Sequence, residues 1–224
     1  MLRPGTPLAG WYIRPTMSES SSSSAQDVVI CGGGLAGLLL ARHLRRELPE
    51  LSVTVIDRMA RPLPDAAHKV GESSVELGCQ YLESLGLRQY LLDEHLVKLG
   101  LRFFPGGGEL PLHERLEIGP MSEPPVRSYQ MDRGKIENDL REMNAADGVS
   151  MVEGCKVEDI ELATDGGLHR VTYSGAATGE VRARWLVDAT GRQALLRRRM
   201  KTTRGSPHKS HASWFRVRGK VDIS

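Results

Sequence analysis

Apolar and polar positions alternate along this chain in three distinct rhythms. Val28, Val29 and Ile30 form a short β-branched run, the pattern of a strand buried on both faces. From Leu35 the period lengthens: Leu35, Leu38, Leu39 and Leu44 favour one side of a helix, with Arg42, Arg45 and Arg46 left for solvent. Pro49 stops that helix, and Val53, Val55 and Ile56 make a second strand that Asp57 ends. Further on, Asp132 is placed to cap a helix whose Ile136, Leu140 and Met143 share a face. From Val149 the segments "SMVEGCKVEDIEL", "LHRVTYS" and "EVRARWLV", divided by "ATDGG" and "GAATG", predict a three-stranded antiparallel meander packed on the first sheet. The segments "VKLGLRFF" and "SHASWFRVRGKVDI" read as strands of a second sheet. Met1 to Gln26 has no periodic pattern and contains "SESSSSSAQ", so it reads as a disordered leader, with Met17 as an alternative start. No continuous apolar core marks it as a secretory signal.

Composition narrows the function classes. A net charge of +2 over 224 residues gives no electrostatic case for nucleic acid. The apolar stretches are too short to span a bilayer. Cys31, Cys79 and Cys155 are odd in number and far apart, without a CxxC or Cys/His cluster, so no metal is expected and a reduced, cytoplasmic setting is the simplest reading. His113, His208 and His211 share no element that would give them metal-ligand geometry. The basic run Arg197, Arg198, Arg199, Lys201 and Arg204 reads as a solvated face, and Gly106 to Gly108 as a hairpin or loop rather than a phosphate loop.

Gly32, Gly34 and Gly37 complete a GxGxxG between the first strand and the first helix, and Asp57 follows Gly37 by 20 residues. The spacing has a mechanical reason. Gly32 permits the tight turn, Gly34 lets backbone approach a pyrophosphate, and Gly37 lets helix pack on strand. The helix start at Leu35 and Ala36 offers unpaired N–H groups and the positive end of a dipole. Asp57, followed by Arg58, stands where a carboxylate can accept from ribose hydroxyls. The pattern calls for a dinucleotide with an adenosine end and does not separate NAD from FAD.

Three later stretches choose between them: "HKVGESSVELG" (His68 to Gly78), "YQMDRGKIENDLREMN" (Tyr129 to Asn144) and "RWLVDATGRQALLRRR" (Arg184 to Arg199). With the opening fingerprint they resemble the FAD-binding half of flavin monooxygenases of the hydroxybenzoate-hydroxylase fold. The closer resemblance is to the tryptophan-halogenase-like, flavin-dependent halogenases, and it covers Asp27 to about Gly219. It implies that the DATG turn, with Asp188 and Gly191, returns to the FAD site, and that Arg133 reaches the cofactor's ribose or phosphates. Gly71, Glu72 and Ser73 of a GESS segment would approach the flavin. Val75 and Glu76 follow where the family runs toward proline, as in phenol- and pyrrole-type relatives, which argues against an indole substrate. "KLGLRFF" resembles the strand that carries the family's catalytic lysine. Lys98 would then meet hypohalous acid and direct it at the substrate.

The fold implied is α/β: a Rossmann-like FAD-binding fold whose GxGxxG βαβ unit and parallel sheet carry an antiparallel meander, with the start of a β-sheet substrate domain. The expected organisation is a leader over 1–26, a FAD-binding domain in two parts over 27–95 and 128–205, and substrate-domain strands over 96–127 and 206–224. In the family a second FAD contact, a Trp-x-Trp-x-Ile-Pro segment and most of the substrate pocket lie further along. Trp11, Trp185 and Trp214 do not form that segment, so the chain reads as an N-terminal portion. The implied partners are a small aromatic or carrier-bound substrate and a separate flavin reductase. Two other readings remain open at this point: a reductase of lipid-like alkenes of the geranylgeranyl-reductase type, and a non-catalytic dinucleotide-binding module.

Overall fold

Four successive apolar residues, Val28 to Cys31, are at most 5% exposed, so their strand needs cover on both faces. The computed structural model describes residues 25–208 apart from 65–66, 68, 70–71, 121 and 123, together with 213 and 218–219. In it β1 (Gln26–Cys31) is central. It pairs in parallel with β2 (Val53–Asp57) on one side and β8 (Gly179–Asp188) on the other. β5 (Ser150–Glu153) extends the parallel part beyond β2. β6 (Cys155–Glu161) and β7 (His169–Gly175) run antiparallel to their neighbours and complete the order β5-β2-β1-β8-β7-β6. This is the expected α/β sheet with its appended meander.

Helices cover one face. α1 (Leu35–Glu47) and α4 (Arg133–Ala146) contribute Leu38, Leu39, Ile136 and Leu140 to a core shared with α2 (Glu76–Leu82) and α3 (Arg88–Glu94) through Cys79, Leu82 and Leu91. The other face packs Val29, Cys31 and Ile56 against Cys155, Ile160, Val171 and Ala183 of the meander. Burial, and secondarily the Asp188 carboxylate, pushes the Cys31 thiol up to about 12, so it stays neutral. All three cysteines are free and buried.

Three expectations need correction. The leader was expected to reach Gln26, but Gln26 is the first residue of β1; residues 1–24 lie outside those described. "SMVEGCKVEDIEL" is two strands rather than one. Gly154, at φ 69, breaks it, so Ser150–Glu153 pairs in parallel with β2 while Cys155–Glu161 turns into the meander. "VKLGLRFF" is a strand only at β3 (Leu96–Lys98), which pairs antiparallel with β4 (Ser128–Gln130). Gly100, at φ 129, turns the chain out of that ladder, and Phe103 pairs instead with Ile118. The expected strand over 210–223 falls almost wholly outside the described residues.

The tightest approach in the fold is where α1 meets the sheet. A Cβ on Gly37 would stand 2.0 Å from the Gly32 carbonyl oxygen, and one on Gly32, at φ 114, would stand 2.4 Å from the Ala189 carbonyl oxygen. Alanine at a helical position normally gains about 1 kcal/mol over glycine. Here the obstacle is backbone, so overpacking costing about 1–3 kcal/mol or more should outweigh that gain. Gly37→Ala is therefore expected to lower the urea midpoint with an unchanged m-value; an unchanged midpoint would mean that α1 can slide freely on β1.

Candidate functional site

The C-terminal ends of β1, β2 and β8 open together into a cleft of about 810 Å³. Its floor is Gly32, Gly33 and Gly34 after β1. One wall is Asp57, Arg58 and Met59 after β2, and the opposite wall is Ala189, Thr190, Gly191 and Arg192 after β8. Leu63, Lys69, Arg133, Glu137 and the first residues of β6 close the sides. Crevices at strand C-termini are where open α/β sheets bind ligands.

Six of the expected site residues line this cleft: Gly32, Gly34, Asp57, Arg58, Arg133 and Gly191. Leu35, Ala36 and Gly37 form the first turn of α1 directly behind Gly34 and do not line it. Glu72 and Ser73 run beside β4 instead: the Met131 N–H donates to the Glu72 carbonyl at 2.6 Å, and Ser73 bridges Gln130. Gly71 lies outside the described residues. Asp188 spends its carboxylate on its own turn. Oδ1 accepts from the Thr190 N–H at 3.1 Å and from its hydroxyl at 2.5 Å, and Oδ2 accepts from the Leu196 N–H at 2.8 Å. Those bonds shape the DATG turn, so that Thr190 and Gly191 face the cleft while Asp188 does not. Lys98 sits apart in the second sheet, 8% exposed, with Nζ donating to the Ser74 carbonyl at 2.9 Å.

Beyond Arg133, the stripe of charge along α4 is singled out by no sequence motif of the site. Arg133, Glu137 and Arg141 recur at every fourth residue and so share one side of the helix. Glu137 is 1% exposed and receives the Arg133 guanidinium at 2.7 Å and the Lys69 amine. Arg141 is also 1% exposed. Its Nη2 donates to the Gly33 carbonyl at 2.8 Å and to Asp57 Oδ2 at 3.2 Å. Its Nη1 donates to the Met59 carbonyl at 3.1 Å and to Glu153 Oε1 at 2.8 Å. Asp57 completes the tie, with Oδ2 accepting from the Gly33 N–H at 2.5 Å and Oδ1 from the Met59 N–H at 2.7 Å. The acidic end of β2 thus fixes the glycine loop as well as facing the cleft. A charge triplet at i, i+4, i+8 beside an apolar face was the available signal.

These residues fit a dinucleotide. A Cβ on Gly34 would meet no atom within 4 Å, so the backbone at the N-cap of α1 faces open space. No side chain caps that helix and no acidic residue stands in its first turn, which leaves its dipole available to an anion. Arg58, Lys69, Arg133, Lys156 and Arg192 place positive charge around the same cleft, against Asp57 and Glu137. Among the described residues no cluster of His, Cys, Asp and Glu could hold a metal, and no helix is long and apolar enough to cross a membrane.

Gly34 gives the cleanest test of this cradle. Replacing an N-cap glycine by alanine costs a helix well under about 2 kcal/mol, so Gly34→Ala should melt close to the parent. Its methyl would occupy the space a pyrophosphate needs, and the FAD dissociation constant should rise by about tenfold or more, the effect of losing roughly 1.4 kcal/mol of contact. An unchanged constant in a flavin fluorescence titration would remove the glycine loop from the site.

Comparison with known proteins agrees with this geometry. The family model described as FAD binding domain matches residues 25–224. A flavin-dependent halogenase of Dictyostelium discoideum, chlA, is 36% identical over 138 residues, covering 57% of this chain and 23% of that protein. The 1H-pyrrole-2-carbonyl-[peptidyl-carrier protein] chlorinase of Pseudomonas fluorescens is 26% identical over 193 residues, covering 78% of this chain and 41% of that one. The chain thus spans less than half the length of either relative. Among solved structures, the flavin-dependent halogenase CmlS superposes with a TM-score of 0.63 at 22% identity, over 80% of this chain and 31% of that one, a likeness of fold. With its glycine loop, its uncapped helix start and a match over nearly its whole length, the chain belongs to the FAD-binding domain family, and FAD is its cofactor.

Proposed function

We propose that this chain is the cofactor-binding portion of a flavin-dependent halogenase that acts on a small aromatic or carrier-bound substrate. The observation that carries the reading is Lys98: a residue 8% exposed whose Nζ donates to the backbone of the GESS segment at Ser74. The halogenase and carrier-protein chlorinase relatives support the same class of chemistry and substrate. Reducing equivalents from a separate flavin reductase and a reducing compartment such as the cytoplasm belong to this reading; three free, buried cysteines suit the latter.

Bound FAD would, once reduced, supply the activation of dioxygen, and side chains of this chain would bind and orient it. The start of α1 and Arg133 would hold the phosphates, with Glu137 fixing the Arg133 guanidinium at 2.7 Å. Asp57 and Arg141 hold the glycine loop in its binding shape. Lys98 stands in the second sheet, its Nζ held by the Ser74 carbonyl. With one N–H given to Ser74, its remaining donors can hydrogen bond the oxygen of hypohalous acid and aim its halogen at the substrate. A lysine fits this task because its compact head sits on a buried stem that fixes its direction.

In the whole enzyme, Lys98→Met keeps the packed stem and removes the amine. Halogenated product is expected to disappear while the FAD dissociation constant and the rate of reduced-flavin oxidation stay within about twofold, since a site remote from the cofactor contacts carries little of that binding energy. Peroxide or hypohalite should accumulate in place of product. Retained halogenation would contradict the role given to Lys98, and lost FAD binding would make it structural.

A further inference from the structure

His95 follows α3 and immediately precedes the strand that carries Lys98. Its ring is 8% exposed, and its two nitrogens face two different helices. Nδ1 lies 3.4 Å from the backbone nitrogen of Asp132, the N-cap of α4. Nε2 lies 3.2 Å from the Tyr90 hydroxyl on α3. A backbone N–H can only donate, so Nδ1 accepts, and the neutral ring carries its proton on Nε2. Tyr90 then accepts from Nε2–H and gives its own proton to Asp139 Oδ2 at 2.6 Å. Lys135 anchors the far end, with Nζ 3.2 Å from Asp139 Oδ2 and 3.0 Å from Glu94 Oε2. The direction of each bond is fixed, and Nδ1 is committed as an acceptor to the Asp132 N–H.

We propose that His95 is a positioning residue for the FAD site, holding the N-cap of α4 as a neutral imidazole and releasing it on protonation. The Asp132 carboxylate makes no capping bond to this helix, so the ring is the side chain that engages the cap amide. The next residue is Arg133, and the following turns carry Glu137 and Arg141, so the cap sets where the charge stripe of α4 enters the cleft. Protonated Nδ1 would point a hydrogen at the Asp132 N–H, and the two donors would separate.

The groups facing the ring are Tyr90 and Glu94 from α3 and Asp132, Lys135 and Asp139 from α4. Burial and the Lys135 ammonium pull His95 below its ordinary value of 6.5, against the opposing pull of Asp132, Asp139 and Glu94. Burial and the Asp139 hydrogen bond raise Tyr90, which therefore stays a donor. A histidine whose folded-state value is lowered contributes fully above 6.5, and its contribution is lost as pH falls below that point.

The test is FAD titration of the full chain, read by flavin fluorescence, from about pH 8 down to about pH 5. The unsubstituted chain should lose affinity roughly three- to tenfold on acidification, the equivalent of one hydrogen bond. His95→Asn keeps an acceptor near the Nδ1 position and does not titrate, so its affinity should stay flat with pH and within about twofold of the parent's neutral value. His95→Gln moves the acceptor to the Nε2 end and should bind at every pH as the acidified parent does. An asparagine variant that follows the parent's pH profile, or three flat and equal profiles, would overturn the proposal. Nitrogen-15 shifts of the His95 ring give an independent reading without any variant: the Nε2–H tautomer at neutral pH is expected, and an Nδ1–H tautomer would overturn the proposal.

Discussion

One buried guanidinium holds the cofactor end of this fold together. Arg141, 1% exposed, ties the loop after β1, the ends of β2 and β5, and α4 through four acceptors. Removing a charge from water is expensive, and four bonds from its two terminal nitrogens offset that cost, while its buried Nε makes none. Two of its acceptors are carboxylates, on Asp57 and Glu153, and two are backbone carbonyls, on Gly33 and Met59. The carbonyl bond to Gly33 acts on the glycine loop itself. It pins the middle of the glycine loop from behind, so the opposite face of that loop, at Gly34, is left open to a phosphate.

The opening βαβ unit was legible because each of its requirements has a residue type that alone meets it. Gly32 and Gly37 leave no room for a Cβ, and Asp57 ends β2 where a carboxylate must stand. The meander was legible from alternation and its glycine turns, apart from the break at Gly154, since positive φ leaves no mark in an alternating pattern. Less of the site could be read. Arg133 was found through its motif, whereas Glu137 and Arg141 lie on a helix where charges at this spacing are most often solvated; only the packing of α4 onto the loop buries them. Asp188 shows the reverse. Its motif identifies the turn, but only the fold reveals that its carboxylate is consumed in shaping that turn.

The second sheet relates the cofactor cleft to Lys98 by a short physical route. β4 runs straight into the N-cap of α4, and the GESS segment lies along β4 through the Ser73–Gln130 bridge and the bond from the Met131 N–H to the Glu72 carbonyl. Lys98 stands on β3 opposite Ser128 and donates back to Ser74. The Ser74 hydroxyl in turn donates to the Tyr129 carbonyl at 2.6 Å and accepts from the Tyr129 N–H at 2.7 Å, which locks the segment to β4. α4 and Lys98 are thereby joined through the β4 backbone, the Ser74 hydroxyl and the Lys98 amine.

The central claim is that Arg141 shapes the glycine loop for FAD. It is tested most directly by the FAD dissociation constant of Arg141→Lys, measured where its far-UV circular dichroism matches the parent. Lysine keeps a positive charge but cannot offer the planar fork that reaches both carboxylates and both carbonyls. The account predicts an affinity weaker by about tenfold or more, as expected when roughly 1.4 kcal/mol of loop positioning is lost. An unchanged dissociation constant in a natively folded Arg141→Lys protein would contradict it.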